Sequence, residues 1–299
     1  MYKPTVSFLG IGLMGEPMAK CLLKAGFNVH AWNRTPAKAQ VLAAAGAIVH
    51  ADLAEAVAPA EIVISMLQDG SAVAATIAAA LPALKPDTLW IDMSSIRQDE
   101  ALANHATLTG RGMRHLDAPV SGGVTGAAGG TLAIMAGGNA ADVDRASAVF
   151  NAMGTAVLVG PAGSGQVAKL CNQLIVGGTL QIVAEALLLA QAAGADPAAV
   201  RNAIRGGFAG SKILEMHGQR MLDRNFIPGG QVKSQLKDQR NVLAAAADAG
   251  LVLPVTALVT EQYQSIAADL PHADHAAALI ALERINPGQR LGDSPDQLP

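Results

Sequence analysis

One short glycine-rich segment near the start of the chain has the spacing needed to hold a phosphorylated ligand. Residues 10–15 read GIGLMG; they directly follow an apolar run typical of a buried strand and directly precede a stretch with helical spacing. Glycines at these places permit a tight turn, close approach of a pyrophosphate and close helix–strand packing, while the helix N-terminus offers N–H groups to phosphate. We therefore expect dinucleotide binding here, with a plain glycine-rich turn as the alternative. The expected cofactor-binding residues are Gly10, Ile11, Gly12, Leu13, Met14 and Gly15.

The next predicted strand, NVHAW, ends at a second informative position. It is followed by Asn33, Arg34 and Thr35. An acidic residue at this place binds the ribose 2′-hydroxyl of NAD and repels a 2′-phosphate. A neutral Asn followed by a cation and a hydroxyl suits a phosphate instead. The sequence therefore predicts NADP in preference to NAD, with a solvated surface residue as the alternative for Arg34.

Donors suited to a small carboxylate occur further along the chain. The segment DAPVSGG at 117–123 ends a predicted strand and enters a glycine-rich stretch. Ser121 offers a hydroxyl, and Gly122 and Gly123 leave backbone N–H groups unshielded. The pattern favours carboxylate binding, and an ordinary glycine loop is the alternative.

Three polar side chains stand in segments with helical spacing. Lys169 and Asn172 are three residues apart, so they share a helix face. By local pattern alone, a single Lys in an apolar helical segment is more often a surface residue whose stem packs. Lys237, in QVKSQLKDQRN, occupies by itself an ordinary polar helix position.

The remaining polar residues give no metal or nucleophile signature. His272, Asp274 and His275 are close in sequence, but a surface turn explains them better than a metal site. The chain contains no CxxC pair and no Ser/His/Asp elbow, so no metal site is predicted.

The composition excludes several classes of protein. Of 299 residues, 51% are apolar, which excludes a disordered chain. The formal charge of −3, without Lys/Arg blocks, argues against nucleic-acid binding. Two Cys exclude a disulfide scaffold and are compatible with a reducing cytoplasm. The most apolar stretch, 174–195, is interrupted by Gln181, Glu185 and Gln191, so we do not expect a membrane span.

Two patterns of secondary structure divide the chain. Short apolar runs alternate with Ala-rich helical stretches up to residue 160, which predicts a mostly parallel sheet covered on both faces. Beyond it every segment has helical spacing, beginning with a long helix over 165–193. We expect an α/β dinucleotide-binding domain over 1–161, an all-α domain over 162–285 and a loosely attached tail over 286–299.

Four motifs in order resemble one family, the β-hydroxyacid dehydrogenases. They are FLGIGLMGEPMA at 8–19, DAPVSGG with GGTL at 117–132, GSGQVAKLCNQ at 163–173 and LKD at 236–238. The resemblance runs from residue 5 to about residue 285. It implies a Rossmann-like domain, a long interdomain helix and an all-α domain.

The resemblance also implies roles on the substrate side. Lys169 would be the catalytic acid/base, and Asn172 would hydrogen-bond the substrate near the reacting oxygen. Ser121, Gly122 and Gly123 would hold the substrate carboxylate. Reduction of an aldehyde needs a hydride from nicotinamide and a proton for the developing alkoxide, and a lysine can supply that proton.

On the cofactor side, the resemblance implies four further positions. Met66 and Leu67 would pack at the cofactor, Ser95 stands where relatives usually have Thr, and Lys237 would lie near the cofactor and the reacting centre.

One departure concerns Gly230, which stands where many relatives carry an aromatic residue. That change would widen the substrate pocket.

The resemblance implies an oxidoreductase that interconverts a small β-hydroxy acid and its semialdehyde, and the residues after the second predicted strand indicate NADP as its cofactor. The implied type is 2-hydroxy-3-oxopropionate reductase or 3-hydroxyisobutyrate dehydrogenase, acting as a cytoplasmic homodimer or homotetramer. An NADPH-dependent imine reductase of the same fold is the alternative, although those enzymes usually lack a lysine at position 169. A non-enzymatic relative is disfavoured because such relatives lose the catalytic lysine, whereas this chain has Lys169. The sequence leaves open which carboxylate-bearing substrate is used and in which direction.

Overall fold

Short apolar runs and Ala-rich helices alternate through the first part of the chain, and helices alone follow. The computed structural model describes residues 3–299. The strands are β1 (Val6–Leu9), β2 (Val29–Trp32), β3 (Ile48–His50), β4 (Ile62–Ser65), β5 (Leu89–Asp92), β6 (Arg114–Asp117), β7 (Val120–Ser121), β8 (Leu132–Gly137) and β9 (Gly154–Gly160). The helices are α1 (Gly15–Lys24), α2 (Pro36–Ala39), α3 (Leu53–Val57), α4 (Gly70–Ala80), α5 (Gln98–Thr109), α6 (Gly123–Gly129), α7 (Ala140–Met153), α8 (Ser164–Ala192), α9 (Pro197–Ile204), α10 (Lys212–Leu222), α11 (Val232–Asp248), α12 (Pro254–Ile266) and α13 (Ala278–Ile285).

The strands form one sheet in the order β3-β2-β1-β4-β5-β6-β8-β7, with β9 paired to β8. The pairs from β3 through β6 are parallel, whereas β8 runs antiparallel to β6 and β7. Strands β1, β4 and β5 are buried at every residue, as expected for a parallel sheet with helices on both faces. The predicted fold class, a mostly parallel α/β domain followed by an all-α domain, is confirmed.

The chain divides into two compact units, Met1–Lys169 and Leu170–Pro299. The division falls inside α8, later than the position near residue 161 predicted from the glycines and proline there. Two apolar clusters, around Phe8 and around Trp90, form the core of the first unit. The second unit has its own core, in which Leu180 and Tyr263 are fully buried.

Helix α8 is long and apolar enough to cross a membrane by length and composition alone. Within the second unit, however, Leu180, Ala184 and Leu187 of this helix are fully buried among other helices. Part of its apolar composition therefore serves the protein core.

Two expectations about exposed segments are wrong. The tail beyond residue 285 is not loosely attached: Leu291 is buried, and the backbone of Gln297 accepts a hydrogen bond from the N–H of Phe226 at 2.9 Å. The turn containing Asp274 and His275 is not a surface turn, because Asp274 is fully buried and His275 half-buried.

Candidate functional site

The glycine-rich turn has the geometry that a dinucleotide requires. Gly10 has a φ of +100°, and a Cβ there would lie 2.3 Å from the carbonyl oxygen of Met66. A Cβ on Gly15 would lie 1.9 Å from the oxygen of Gly10, so α1 can approach β1 only with glycine at this position. A Cβ on Gly12 would meet nothing within 4 Å, and no side chain caps α1. Open space beside an uncapped helix N-terminus fits a pyrophosphate.

The end of β2 is tied to this turn. The side-chain oxygen of Asn33 accepts a hydrogen bond from the N–H of Ile11 at 2.9 Å, and its amide nitrogen donates to the oxygen of Thr35 at 2.9 Å. Asn33 therefore positions the turn as well as occupying the place of a ribose-binding acid. Arg34 is exposed, and within residues 3–299 its guanidinium makes no hydrogen bond or ion pair.

The other expected cofactor positions follow the neighbouring strands β4 and β5. Met66 and Leu67 are half-buried at the carboxyl end of β4, and the N–H of Leu67 donates to Ser94 Oγ at 2.9 Å. Ser95 is half-buried after β5. Because the carboxyl ends of parallel strands share one edge of the sheet, these residues line the same edge as the glycine-rich turn.

Two buried carboxyl groups also lie at this edge, and no sequence motif marks them. Asp92 and Asp117 end β5 and β6 and are paired in register. Burial raises the pKa of each to about 6, against the lowering effect of the hydrogen bonds that they accept. In the sequence, both are ordinary residues at the ends of predicted strands. The alternation of strands and helices is the only signal that could place them together.

Asp117 fixes the beginning of α8. Its two oxygens accept hydrogen bonds from the N–H groups of Gly163 at 2.7 Å and Gln166 at 2.9 Å, satisfying donors that an unpaired helix start leaves open. A Cβ on Gly165 would lie 2.4 Å from the backbone oxygens of Asp117 and Met135. The glycines of the GSGQ motif thus allow this helix to begin directly against the sheet.

Lys169 lies one turn further along the same helix. It is half-buried, and its Nζ donates a hydrogen bond to the backbone oxygen of Val120 at 2.9 Å. Ser121, Gly122 and Gly123 directly follow Val120, so the first unit brings the predicted acid/base next to the predicted carboxylate-binding segment. Gly122 and Gly123 both have positive φ, at +136° and +61°, which explains the glycines.

The second unit joins Asn172 and Lys237 through two intermediate side chains. Asn172 donates to Gln173 Oε1 at 2.8 Å, Gln173 donates to Asp238 Oδ2 at 2.6 Å, and Lys237 lies 3.2 Å from Asp238 Oδ1. Gln239 donates to the backbone oxygen of Gln173 at 2.7 Å. This network holds the α8 and α11 residues of the unit in fixed positions.

Known families match both parts of the chain. Residues 5–160 match the NAD binding domain of 6-phosphogluconate dehydrogenase. Residues 163–282 match a domain described as NAD-binding of NADP-dependent 3-hydroxyisobutyrate dehydrogenase. The chain belongs to the β-hydroxyacid dehydrogenase family.

Two relatives match almost the whole length of this chain, and a third matches a shorter part of it. The 2-hydroxy-3-oxopropionate reductase of Escherichia coli K12 is 39% identical over 284 residues, covering 93% of this chain and 97% of that protein. The solved structure of Mycobacterium tuberculosis 3-hydroxyisobutyrate dehydrogenase with L-serine is 34% identical, with a TM-score of 0.86 and coverage of 94% and 99%. The NAD-dependent L-serine dehydrogenase of Pseudomonas aeruginosa is 38% identical over 216 residues, covering 71% of this chain and 72% of that protein. This chain is accordingly an NAD(P)-dependent oxidoreductase of the 3-hydroxyacid class.

Proposed function

We propose that the protein is an NADP-dependent oxidoreductase that interconverts a small β-hydroxy acid and its semialdehyde, with Lys169 as acid/base. The observation that carries the proposal is the hydrogen bond from Lys169 Nζ to the oxygen of Val120, adjacent to Ser121, Gly122 and Gly123. A cation beside unshielded backbone donors suits a substrate that carries both a carboxylate and a reacting oxygen.

The nicotinamide, when bound, supplies or accepts the hydride. In the direction of reduction, Lys169 Nζ donates a proton to the developing alkoxide, and in oxidation it takes the proton from the hydroxyl. The bond to Val120 limits the positions open to the ammonium group and so orients it. By the family resemblance, Ser121, Gly122 and Gly123 would hold the carboxylate, Asn172 would orient the reacting oxygen, and Lys237 would act near the cofactor.

The role of Lys169 is tested with Lys169→Ala. General acid–base catalysis contributes roughly 10²–10⁴-fold, so kcat should fall by that factor while the Kd of NADPH stays nearly unchanged. Lys85→Ala is the matched control, because Lys85 also donates to a backbone oxygen, that of Pro59, but lies away from these residues. Turnover of Lys169→Ala within about tenfold of wild type would remove Lys169 from proton transfer.

The preference for NADP rests on Arg34, an exposed cation with no partner of its own within residues 3–299, and on Asn33 in place of an acid. Arg34→Ala should raise the KM for NADPH about tenfold or more and leave the KM for NADH unchanged, because only the 2′-phosphate is lost as a contact. The exposed Arg111→Ala is the control. A tenfold preference of the wild-type enzyme for NADH would contradict the proposal.

The substrate is best identified by a screen that follows oxidation of NADPH and reduction of NADP. The acids to include are tartronate, methylmalonate and succinate semialdehydes, a sulfonated aldehyde and β-hydroxy amino acids. All of them offer one anionic group to the segment 121–123. If the enzyme reduced a cyclic imine and none of these acids, the result would instead favour an imine reductase.

We further propose that two copies of the chain associate through α8. Within the second unit, Ile175, Ile182 and Leu189 recur every seven residues and are 62–69% exposed. A row with this spacing can pack against its own copy about a two-fold axis. Ile182→Glu should shift the mass measured by light scattering toward that of a monomer, whereas Val41→Glu, on the first unit, should not. An unchanged mass for Ile182→Glu would contradict this interface.

A further inference from the structure

A cluster of metal-ligating side chains lies in the second unit, among residues that the proposed reaction does not use. It consists of His217 on α10 and of Asp274 and His275 at a short 3-10 turn before α13. One ligand atom from each residue lies within 4.8 Å of the others. Asp274 is fully buried, and the side chain of His217 is 15% exposed.

Asp274 is held as an acceptor by its surroundings. Oδ2 accepts hydrogen bonds from the N–H groups of Gly229 at 2.8 Å and Gly230 at 3.1 Å, and Oδ1 accepts from Ala276 at 3.0 Å. His217 Nδ1 lies 3.4 Å from Oδ1. His217 Nδ1 makes no hydrogen bond within residues 3–299, but the negative charge of the nearby carboxylate favours the tautomer that carries its hydrogen on Nδ1.

The second histidine is oriented in the same way. His275 Nδ1 lies 3.4 Å from Gln235 Oε1. The amide nitrogen of Gln235 is directed to the backbone oxygen of Gln173, at 3.3 Å, so the oxygen is the atom that faces the ring. An amide oxygen only accepts, which assigns the hydrogen of His275 to Nδ1 as well.

Both Nε2 atoms therefore present lone pairs, and they face each other at 3.3 Å. A second histidine pair in the protein provides a contrast. His30 Nδ1 and His50 Nε2 are 2.8 Å apart, the length of an ordinary N–H···N bond. Two zinc–nitrogen bonds of about 2.0–2.1 Å at a tetrahedral angle separate their nitrogens by roughly 3.3 Å, so the His217–His275 separation fits a shared metal ion.

We propose that Nε2 of His217 and Nε2 of His275 bind a borderline divalent ion of the Zn²⁺ class. The Asp274 carboxylate lies beside Nδ1 of His217, and Gln235 Oε1 faces Nδ1 of His275; oxygen acceptors beside the outer ring nitrogens commonly support metal-bound histidines. Water completes the coordination, because two imidazoles leave positions open. Arg220 Nη1, 3.7 Å from Asp274 Oδ2, offsets part of the negative charge and keeps the affinity moderate.

Gly230 is part of this arrangement. A Cβ at position 230 would lie 3.0 Å from His275 Cε1 and 3.4 Å from Nε2. A larger side chain would therefore displace the ring from its position opposite His217. The absence of a side chain at this position leaves the pair of nitrogens free to converge.

The test is zinc binding by the untagged full chain after removal of metal with a chelator. Isothermal titration with Zn²⁺ should give one ion per chain, and Zn²⁺, unlike Mg²⁺, should raise the Tm. His217→Gln and His275→Gln should each weaken binding at least a hundredfold, and Asp274→Asn by about 10–100-fold. His272→Gln, exposed and three residues away, and His30→Gln, in the other histidine pair, should bind as wild type does.

Circular dichroism checks that each variant is folded. If one histidine variant does not fold, zinc binding by the other histidine variant tests the proposal. Co²⁺ gives an independent signal, because the wild type should show visible absorption typical of nitrogen ligation that both histidine variants lose. The proposal would be overturned if the wild type failed to bind Zn²⁺ when the ion is in 100-fold excess over the protein. It would also be overturned if both histidine variants bound Zn²⁺ as tightly as the wild type does. A pair that only shares a proton would give the first of these results. None of these measurements depends on the enzymatic activity.

Discussion

Two buried carboxyl groups, one in each unit, are held in opposite ways. Asp92, at the end of β5, is fully buried, and burial raises its pKa to about 6. Its Oδ1 accepts hydrogen bonds from Ser65 Oγ at 2.8 Å and the N–H of Ser94 at 3.2 Å, whereas its Oδ2 has no hydrogen-bond partner within residues 3–299. For Asp274, burial is outweighed by the interactions with His217 and His275 and by backbone N–H donors, so its pKa lies well below its usual range.

The difference shows what each unit does with buried polarity. Among the described residues of the first unit, no cation contributes to the pKa of Asp92, so burial keeps its neutral form accessible near pH 6 at the edge of the sheet where the cofactor is expected. The second unit buries charges together with their partners and uses them to fasten loops to helices. Burial disfavours the ionised form of the carboxyl in the first unit, whereas the surroundings of the carboxyl in the second unit stabilise its ionised form.

Arg224 offers the strongest test of the second strategy. Its side chain is 1% exposed; Nη1 lies 2.7 Å from Glu283 Oε1, and Nε pairs with Asp296. Arg224→Ala removes the partner of the Glu283 carboxylate, which is 10% exposed, and of the more exposed Asp296 carboxylate, and it should lower the free energy of unfolding by about 3–5 kcal/mol. Arg284→Ala, which breaks an exposed pair with Asp269, is the control and should lower it by at most about 1 kcal/mol. Denaturant unfolding measures the free energy of unfolding of both variants. Equal decreases would contradict the expected difference between buried and exposed ion pairs.

Asp274→Asn should have the next largest effect, about 2–3 kcal/mol at pH 7, since an amide nitrogen cannot accept from Gly229 and Gly230. The folded pKa of Asp274 is depressed, so its contribution is present above the unfolded pKa near 4 and is lost as pH falls below it. Thermal unfolding with a chelator present should show a constant gap between variant and wild type from pH 8 to 5 and a shrinking gap below pH 4. A gap that changes above pH 5 would assign the effect to another group.

Asp92→Asn should show the opposite dependence. The folded pKa of Asp92 is raised to about 6, so its contribution is full below the unfolded pKa and lost as pH rises through 6. Between pH 8 and 5, the wild type should therefore gain about 1–2 kcal/mol relative to the variant. Urea unfolding at the two pH values measures this difference, and a pH-independent gap would mean that Asp92 is ionised throughout.

Gly12→Ala should have the smallest effect on stability. A Cβ at this position meets no atom within 4 Å, so the free energy of unfolding should change by less than about 0.5 kcal/mol. The Kd of NADPH should nevertheless rise about tenfold, because the methyl group occupies the space proposed for the pyrophosphate. Gly15→Ala is the contrasting variant and should unfold more easily, because its Cβ collides with the oxygen of Gly10. Unchanged NADPH binding in Gly12→Ala would move the pyrophosphate away from this glycine.

The parts of the fold that the sequence predicts are those with strong periodicity or a constrained turn. The alternation of buried strands and helices in the first unit and the turn at Gly10–Gly15 are both evident from local pattern. Strand β9 (Gly154–Gly160) was missed because its residues are mostly exposed, so it lacks the buried run that identifies β1 and β4. The glycines of segment Gly123–Gly129 predict a loop because glycine disfavours helices, yet the segment forms α6.

Long-range polar contacts account for the rest. The side chain of Asn33 is bound to Ile11, and Asp117 begins α8, but neither pairing has a local sequence signal. The same holds for His217 and His275, which are 58 residues apart in sequence and adjacent in space. The candidate positions at Lys169 and Ser121–Gly123 were named from motifs, whereas the contact between Lys169 and Val120 that orients the amine required the fold.

The contacts of Arg224 also have a consequence for how the protein is made. Glu283 follows Arg224 by 59 residues and Asp296 by 72. A chain still on the ribosome therefore holds an arginine that must stay hydrated until both acids have emerged, and the second unit cannot close before then. The first unit contains all of its own strands and has no such requirement, so it can fold while synthesis continues. Chaperones that bind nascent chains should accordingly remain longest on the second unit.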